Sequence, residues 1–192
     1  LTTHKGEWAK KSLKGNEIKG KTIGIIGFGN VGKRFAHICN ALGLKVLILS
    51  KTFDAIKNEF PEYVSCDLNN ILKEADIISF HCKPNLDGSP IISTKEIDIM
   101  KNSVLIINTA RGNLVSEIDL FDAIKNKTIG GVALDVFAEE PAKNNILFGL
   151  ENVLLTPHIA ASTVESQIIV AEMIANQFVD YFLNNKINNS VI

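Results

Sequence analysis

The sequence has few of the features that mark membrane-spanning, secreted or metal-binding proteins. Only three cysteines occur in 192 residues, at Cys39, Cys66 and Cys82, and no two of them form a CxxC pair. An odd number of well-separated cysteines favours neither a disulfide framework nor a zinc site, so we expect free thiols and a cytoplasmic protein. No apolar run approaches the roughly 18 residues of a membrane span, and no signal peptide is recognisable.

The sequence also lacks an excess of charge of either sign. Twenty Lys and Arg residues face twenty-one Asp and Glu residues, which gives a net charge of −1. No stretch gathers the positive charge that would attract nucleic acid or an acidic membrane surface. None of the four histidines has a second ligand at metal spacing, so no metal site is predicted. The composition therefore predicts a small-molecule partner, with no role for nucleic acid or a membrane.

The apolar pattern predicts an α/β fold. Short β-branched runs alternate with longer segments of helical period, which is typical of a Rossmann-type doubly wound parallel sheet with helices on both faces. Strands are predicted at residues 22–26, 46–49, 76–81, 104–108, 131–135 and 153–156, and helices at residues 31–42, 68–73, 117–125 and 164–182.

Two of the predicted helices carry capping signals. Ser116 precedes the helix 117–125, and Ser162 with Glu165 has the S-x-x-E form of a capping box before the last helix. Apolar residues follow at helical spacing from Val164 to Phe182, so we expect that helix to pack its apolar stripe on the sheet.

One domain is predicted, flanked by short connecting segments. Residues 1–20 have no clear period and are interpreted as a lead-in helix or connector, residues 21–184 as a dinucleotide-binding domain, and residues 185–192 as an exit towards an absent substrate domain. The chain begins with Leu1 instead of Met. We therefore expect a longer protein, whose N-terminal part would hold a second domain or a targeting signal.

A glycine-rich turn follows the first predicted strand directly. Gly27, Gly29 and Gly32 form the G-x-G-x-x-G pattern, and a helix begins at Val31. The first glycine permits a tight turn, the second lets the backbone approach a pyrophosphate, and the third allows close packing of helix on strand. With the N–H groups of a helix N-terminus beside it, this context predicts a dinucleotide site.

The second predicted strand ends at Ser50, followed by Lys51, where an Asp or Glu usually holds the adenine ribose. Loss of that carboxylate removes the repulsion of a 2′-phosphate. The cofactor is therefore predicted to be NAD(H) or NADP(H), with Ser50 and Lys51 tolerating the phosphate.

Three polar residues follow predicted strands in the second half. Taken singly, each residue has an ordinary structural explanation. Arg111 would be a surface arginine in an ion pair, Glu140 an acidic residue in an exposed loop, and His158 a histidine beside a proline whose hydrogen bonds are satisfied within the protein. Together they supply what carbonyl reduction needs: a guanidinium for a carboxylate, a proton donor that titrates near neutrality, and an acid that pairs with the donor.

With these motifs the chain resembles the D-isomer-specific 2-hydroxyacid dehydrogenase family over residues 6–192, and specifically its nucleotide-binding domain. The resemblance implies that Arg111 binds the substrate carboxylate, that His158 is the proton donor, and that Glu140 pairs with His158. Asp135 would meet the nicotinamide carboxamide. The resemblance further assigns Asn30 and Val31 to the pyrophosphate, Ser50 to the adenine ribose, and Cys82, Thr109, Ala110, Ala160 and Ala161 to the cofactor wall.

Residues 161–167 resemble the D-3-phosphoglycerate dehydrogenases of that family, and a homodimer is implied. Lys83 is a departure, because the family usually has Pro there. The alternatives are a glyoxylate or hydroxypyruvate reductase, a nicotinamide-sensing regulator of the same fold, and a dinucleotide-binding module without chemistry.

Overall fold

The computed structural model describes residues 3–189, which form one parallel sheet and its surrounding helices. The strands are β1 (Thr22–Ile26), β2 (Lys45–Leu49), β3 (Val64–Ser65), β4 (Ile77–Phe80), β5 (Leu105–Asn108), β6 (Gly131–Leu134) and β7 (Val153–Leu155). The α-helices are α1 (Asn30–Ala41), α2 (Phe53–Ile56), α3 (Leu68–Glu74), α4 (Thr94–Ile97), α5 (Glu117–Lys125) and α6 (Val164–Asn184).

The strand order places a ligand crevice at one point of the sheet. All neighbouring strands pair in parallel, in the order β3-β2-β1-β4-β5-β6-β7. The order reverses between β1 and β4, and in such sheets ligands bind beyond the carboxyl ends of the strands at this switch point. The predicted doubly wound fold is confirmed.

Two apolar clusters cover the two faces of the sheet. Ile23 and Ile25 of β1 belong to one cluster and Ile26 to the other. Because alternate residues of a strand point to opposite faces, this division shows that the sheet is buried on both sides. Burial of both faces explains why its strands are apolar runs without polar alternation.

The last helix corrects two predictions. Within α6 no described residue is buried, and Phe182 and Leu183 are 69% and 77% exposed, so its apolar side chains do not pack on the sheet. Its N-cap is Thr163, whose hydroxyl accepts from the Ser166 N–H, and not Ser162. The Ser162 N–H instead donates to the Ile159 carbonyl, which places Ser162 in the preceding turn.

The other capping prediction is confirmed, since the Ser116 side chain accepts from the Asp119 N–H at the start of α5.

Residues 3–20 hold one 3-10 turn and are largely exposed, and the predicted domain boundaries stay a prediction. Residues 190–192 of the predicted exit lie outside the described part. In residues 3–189 no helix has both the length and the apolar character needed to cross a bilayer.

Candidate active site

The glycine-rich turn connects β1 to α1 at the switch point of the sheet. Gly27 has a φ of 103°, a conformation that residues with a side chain rarely adopt. A Cβ on Gly32 would overlap the Gly27 carbonyl, so the third glycine is required by the packing of helix on strand. A Cβ on Gly29 would meet no heavy atom within 4 Å, which leaves open space beside the backbone.

The N-terminus of α1 fits a dinucleotide pyrophosphate. Gly29 is its N-cap, and among the described residues no side chain hydrogen-bonds there. The first helical hydrogen bond joins the Lys33 N–H to the Gly29 carbonyl, so the N–H groups of residues 30–32 precede the ladder. Free donors, a positive helix end and the open space at Gly29 together suit a phosphate group.

Asn108 holds the segment that carries Arg111. This side chain ends β5 and is 1% exposed. Its amide nitrogen donates to the Arg111 carbonyl over 2.8 Å, and its oxygen accepts from the Ala110 N–H over 3.0 Å. The two bonds fix the turn after the strand. Arg111 itself is exposed, and its guanidinium donates to the Ala110 carbonyl over 2.6 Å.

Asp135 holds the segment that carries His158. The Asp135 carboxylate directly follows β6 and is 3% exposed. It accepts from the Thr156 hydroxyl and, over 2.8 Å each, from the Ile159 and Ala160 N–H groups. Burial by itself raises the pKa of Asp135, but these hydrogen bonds outweigh it and lower the pKa.

These bonds support an unusual backbone at His158, whose φ of 55° lies in the left-handed region. That conformation costs about 1–2 kcal/mol for a residue with a side chain. The carboxylate of Asp135 binds the two N–H groups that follow His158 and the hydroxyl that precedes it, so it stabilises the turn despite this strain. A strained residue held by its surroundings is typical of a functional position.

His158 and Glu140 form the predicted pair. The imidazole Nδ1 lies 2.7 Å from Glu140 Oε2, while Glu140 Oε1 accepts from the Phe137 N–H over 3.0 Å. The hydrogen bond with His158 is the main cause of a lowered pKa at Glu140, followed by the Phe137 N–H and by the positive charges of His158 and Arg111. Glu140 is thus held ionised. Because Nδ1 of His158 is bound to Glu140, Nε2 is the ring nitrogen available to a substrate.

Gly112 allows the Arg111 segment to approach the Glu140 segment. A Cβ at this position would overlap the carbonyl group of Phe137. The Phe137 N–H donates a hydrogen bond to Glu140. The close approach at Gly112 therefore brings the segment that carries Arg111 next to the segment that carries Glu140. The positive charge of Arg111 also lowers the pKa of Glu140, so the two side chains lie near each other. That Arg111, Glu140 and His158 act together as one catalytic site stays a prediction.

Two cavities flank these residues. One, of about 310 Å³, is lined by residues that include Val31, Cys82, Lys83, Thr109, Ala110 and Arg111, and we call it the switch-point cavity. The other, of about 580 Å³, is mostly apolar and is lined by residues that include Phe137, Glu140, Phe148, Leu155, Pro157 and His158. Most residues assigned to the cofactor wall thus gather in the first cavity, while Ala160 and Ala161 lie exposed just after His158.

Ser50 and Lys51 lie apart from both cavities, at the carboxyl end of β2. The Ser50 hydroxyl is 3.3 Å from the Thr52 hydroxyl and accepts weakly from the Thr52 N–H, while Lys51 is exposed. This is the edge where an adenosine bound at α1 would extend. The predicted roles of Ser50 and Lys51 remain predictions.

Sequence reasoning missed Asn108, Thr156 and Lys83 as residues of the site. Asn108, which is buried, and Thr156, which is half-buried, act as hydrogen-bond partners, and the only signal for them is a polar residue at the end of an apolar strand. Burial raises the pKa of the Cys82 thiol, which is therefore neutral in the cavity wall. Among residues 3–189 no three His, Cys, Asp or Glu side chains come close enough to hold a metal ion.

Comparison with known proteins gives the family. The profile of the D-isomer specific 2-hydroxyacid dehydrogenase NAD binding domain matches residues 2–160. A hydroxypyruvate reductase of Thermotoga maritima is 41% identical over 173 residues, which are 87% of this chain and 55% of that protein. A D-3-phosphoglycerate dehydrogenase of Methanocaldococcus jannaschii is 37% identical over 178 residues, 90% of this chain and 33% of that protein.

Other matches are glyoxylate reductases and a glycerate dehydrogenase. Among solved structures, an acyclic imino acid reductase in complex with NADPH and D-Arg superposes with a TM-score of 0.88 at 33% identity, covering 100% of this chain and 60% of that one. The chain thus spans between a third and about three fifths of the length of these proteins. It belongs to the D-isomer specific 2-hydroxyacid dehydrogenase family, of which it carries the NAD-binding domain.

Proposed function

We propose that this chain is the part of an enzyme that binds a nicotinamide cofactor and transfers a hydride between it and a small D-2-hydroxy acid or 2-oxo acid. The observation that carries the proposal is the 2.7 Å contact between His158 and Glu140, close enough to Arg111 for its positive charge to lower the pKa of Glu140. A domain that only bound a dinucleotide would have no need of a strained histidine paired with a carboxylate.

The roles of the side chains follow from their chemistry. When bound, a reduced nicotinamide supplies the hydride to the 2-oxo carbon of the substrate. Arg111 holds the substrate carboxylate through two parallel N–H donors. His158, as imidazolium, donates the proton at Nε2 to the developing alkoxide, and it accepts that proton in the oxidative direction. Glu140 orients the ring through Nδ1 and stabilises its positive charge.

We infer that both NAD(H) and NADP(H) are accepted, with Ser50 and Lys51 tolerating a 2′-phosphate. The family is described as NAD-binding, and the imino acid reductase relative binds NADPH. The remaining predicted cofactor contacts of Asn30, Val31, Cys82, Thr109, Ala110, Asp135, Ala160 and Ala161 are part of the same proposal.

For the substrate we propose D-3-phosphoglycerate, supported by the resemblance of residues 161–167 and by relatives of that description. The alternative is reduction of glyoxylate or hydroxypyruvate, which the 41% identical relative favours. Assaying the intact enzyme against 2-oxo acids with phosphate, hydroxyl and hydrogen tails separates the two. We also propose a cytoplasmic homodimer.

A regulator that senses the nicotinamide cofactor is the second candidate, because such a protein would use the same fold. It predicts cofactor binding without turnover of any 2-oxo acid. Such a regulator would also keep Arg111, Glu140 and His158, so steady-state turnover of 2-oxo acids is the measurement that separates it from the enzyme. The presence of the three residues together counts against a dinucleotide-binding module without chemistry.

The test is His158→Ala in the intact enzyme. A general acid usually contributes about 10²- to 10⁴-fold, so we expect turnover to fall by about 10² or more while cofactor affinity changes little. Arg111→Lys should raise the KM for the 2-oxo acid, because an ammonium does not reproduce the planar grip on a carboxylate. Glu139→Gln, one residue from the pair and exposed, is the control. Wild-type turnover in His158→Ala would refute the assignment.

A further inference from the structure

Lys83 lies at the switch point of the sheet, between the phosphate-binding turn and Arg111. It follows β4, the strand between β1 and β5. The segment just before it touches the turn, since a Cβ on Gly27 would overlap the His81 carbonyl and lie 2.8 Å from the Cys82 nitrogen. Pro84 follows and favours an extended backbone at Lys83. Lys83 therefore lines the same cavity as Val31 of α1 and Arg111.

The cavity that contains Lys83 is positively charged. Lys83 and Arg111 both line the switch-point cavity, and Val31 brings the N-terminal end of α1 to its wall. None of the described residues that line it is an Asp or a Glu. Within residues 3–189 neither Lys83 nor Arg111 makes an ion pair, whereas Lys45 and Lys101 do. Arg111 is near enough to Glu140 to lower its pKa, but it forms no ion pair with it among the described residues. Two cations without an ion pair and a helix N-terminus around one cavity suit a ligand with more than one negative charge.

The proposed function leaves one of these cations without a role, because Arg111 alone suffices for the substrate carboxylate. We propose that Lys83 binds a phosphate group in the switch-point cavity, either in the pyrophosphate of the dinucleotide or in the tail of a phosphorylated 2-oxo acid. This inference rests on the proposed function. Its chemistry is the charge-assisted hydrogen bond between an ammonium and a phosphate oxygen.

The first experiment measures binding to the full chain without turnover. Lys83→Met removes the charge and keeps the length of the side chain, and Lys83→Arg keeps the charge. If the phosphate belongs to the dinucleotide, Lys83→Met should weaken the binding of NADH and of ADP-ribose about fivefold to tenfold, where tenfold equals about 1.4 kcal/mol. Adenosine, which has no phosphate, should bind equally to both variants and to the wild type.

Salt gives a second readout, because exposed charges are screened over a Debye length of about 10 Å at 0.1 M. NADH binding to the wild type should weaken more with added NaCl than binding to Lys83→Met. Lys73→Met is the matched control, since Lys73 is exposed in the last turn of α3, which lies at the amino ends of the strands, where Glu74 binds Lys45 at the start of β2. It should leave every binding constant unchanged.

The second experiment uses the intact enzyme and two 2-oxo acids that differ only in a phosphate or a hydroxyl tail. If the phosphate belongs to the substrate, Lys83→Met should raise the KM for the phosphorylated acid alone and leave NADH binding unchanged. If neither cofactor binding nor the KM changes, the role of Lys83 is refuted while the proposed function stands. If the wild type binds no dinucleotide at all, the proposed function itself fails.

Discussion

Asp135 connects two segments of the site through a single carboxylate. Replacing it with Asn keeps the size but turns an N–H₂ group towards backbone donors that now bind a carboxylate oxygen. Since an unsatisfied buried polar group costs about 1–3 kcal/mol, we expect Asp135→Asn to lower the free energy of unfolding by that amount at pH 7. Urea denaturation followed by circular dichroism measures it, with Asp122→Asn on the exposed side of α5 as the control.

The same carboxylate predicts a pH dependence. Its hydrogen bonds lower the folded pKa below the unfolded value of about 3.9. The stabilisation is therefore fully present above the unfolded pKa and is lost as the pH falls through the folded pKa. The difference in unfolding free energy between the wild type and Asp135→Asn should shrink below about pH 4. A difference that stays constant down to the acid unfolding limit would contradict the assignment.

Ser50 is the residue on which cofactor choice should depend. Ser50→Asp restores a carboxylate that accepts ribose hydroxyls and repels a 2′-phosphate. We expect the ratio of NADPH to NADH affinity to move towards NADH by about tenfold or more, or about 1.4 kcal/mol. Fluorescence titration of both cofactors gives the ratio, and Ser12→Asp introduces the same charge on an exposed residue far along the chain. A wild type that already prefers NADH by about a hundredfold would overturn this interpretation.

At the scale of elements, two glycines in the turn between β1 and α1 are expected to have different roles. Gly32 is needed for packing, and Gly29 for cofactor binding. Gly32→Ala places a Cβ on the Gly27 carbonyl and should lower the free energy of unfolding by about 1–3 kcal/mol, as overpacking does. Gly29→Ala meets only open space, and its extended φ of −79° suits alanine. That variant should fold like the wild type but bind NADH more weakly. Equal loss of stability in the two variants would refute the distinction.

The elements that the sequence predicts correctly are those with enough residues to show a period. Six strands are predictable because each is an apolar run of at least three residues, whereas β3 has two residues and pairs only with β2. The helices α2 and α4 have four residues each, about one turn, and show no stripe. The helical spacing of the apolar residues in α6 predicts a helix correctly. It does not determine what those residues pack against, and the predicted packing on the sheet is wrong.

In the candidate site, too, some residues were predictable from the sequence and others were not. The contact between Glu140 and His158 was predictable because a carboxylate and an imidazole are complementary in their chemistry. Asn108 and Thr156 were not, because their importance lies in hydrogen bonds between segments distant in the sequence. The left-handed conformation of His158 likewise depends on Asp135, 23 residues earlier in the sequence.

At the scale of the whole molecule, the sheet and its covering helices should fold without α6, because α6 contributes no described buried residue. A chain that ends at Thr163 should keep its free energy of unfolding within about 1 kcal/mol, the range of changes made away from a core. It should lose helical circular dichroism and expose less apolar surface to the dye ANS. A loss of several kcal/mol would show that α6 stabilises the sheet in solution.

The close contact at Gly112 limits how this site can change by mutation. The Arg111 segment and the Phe137–Glu140 segment come from different strands, yet one added carbon atom at residue 112 would force their backbones apart. Every single-residue replacement there adds at least that atom. The backbone spacing between the segment that carries Arg111, the proposed substrate anchor, and the segment that carries Glu140, of the proposed proton-donating pair, is therefore set by the absence of a side chain at residue 112. If the proposed function holds, a change of substrate by mutation would have to alter the cavity walls and leave this spacing unchanged.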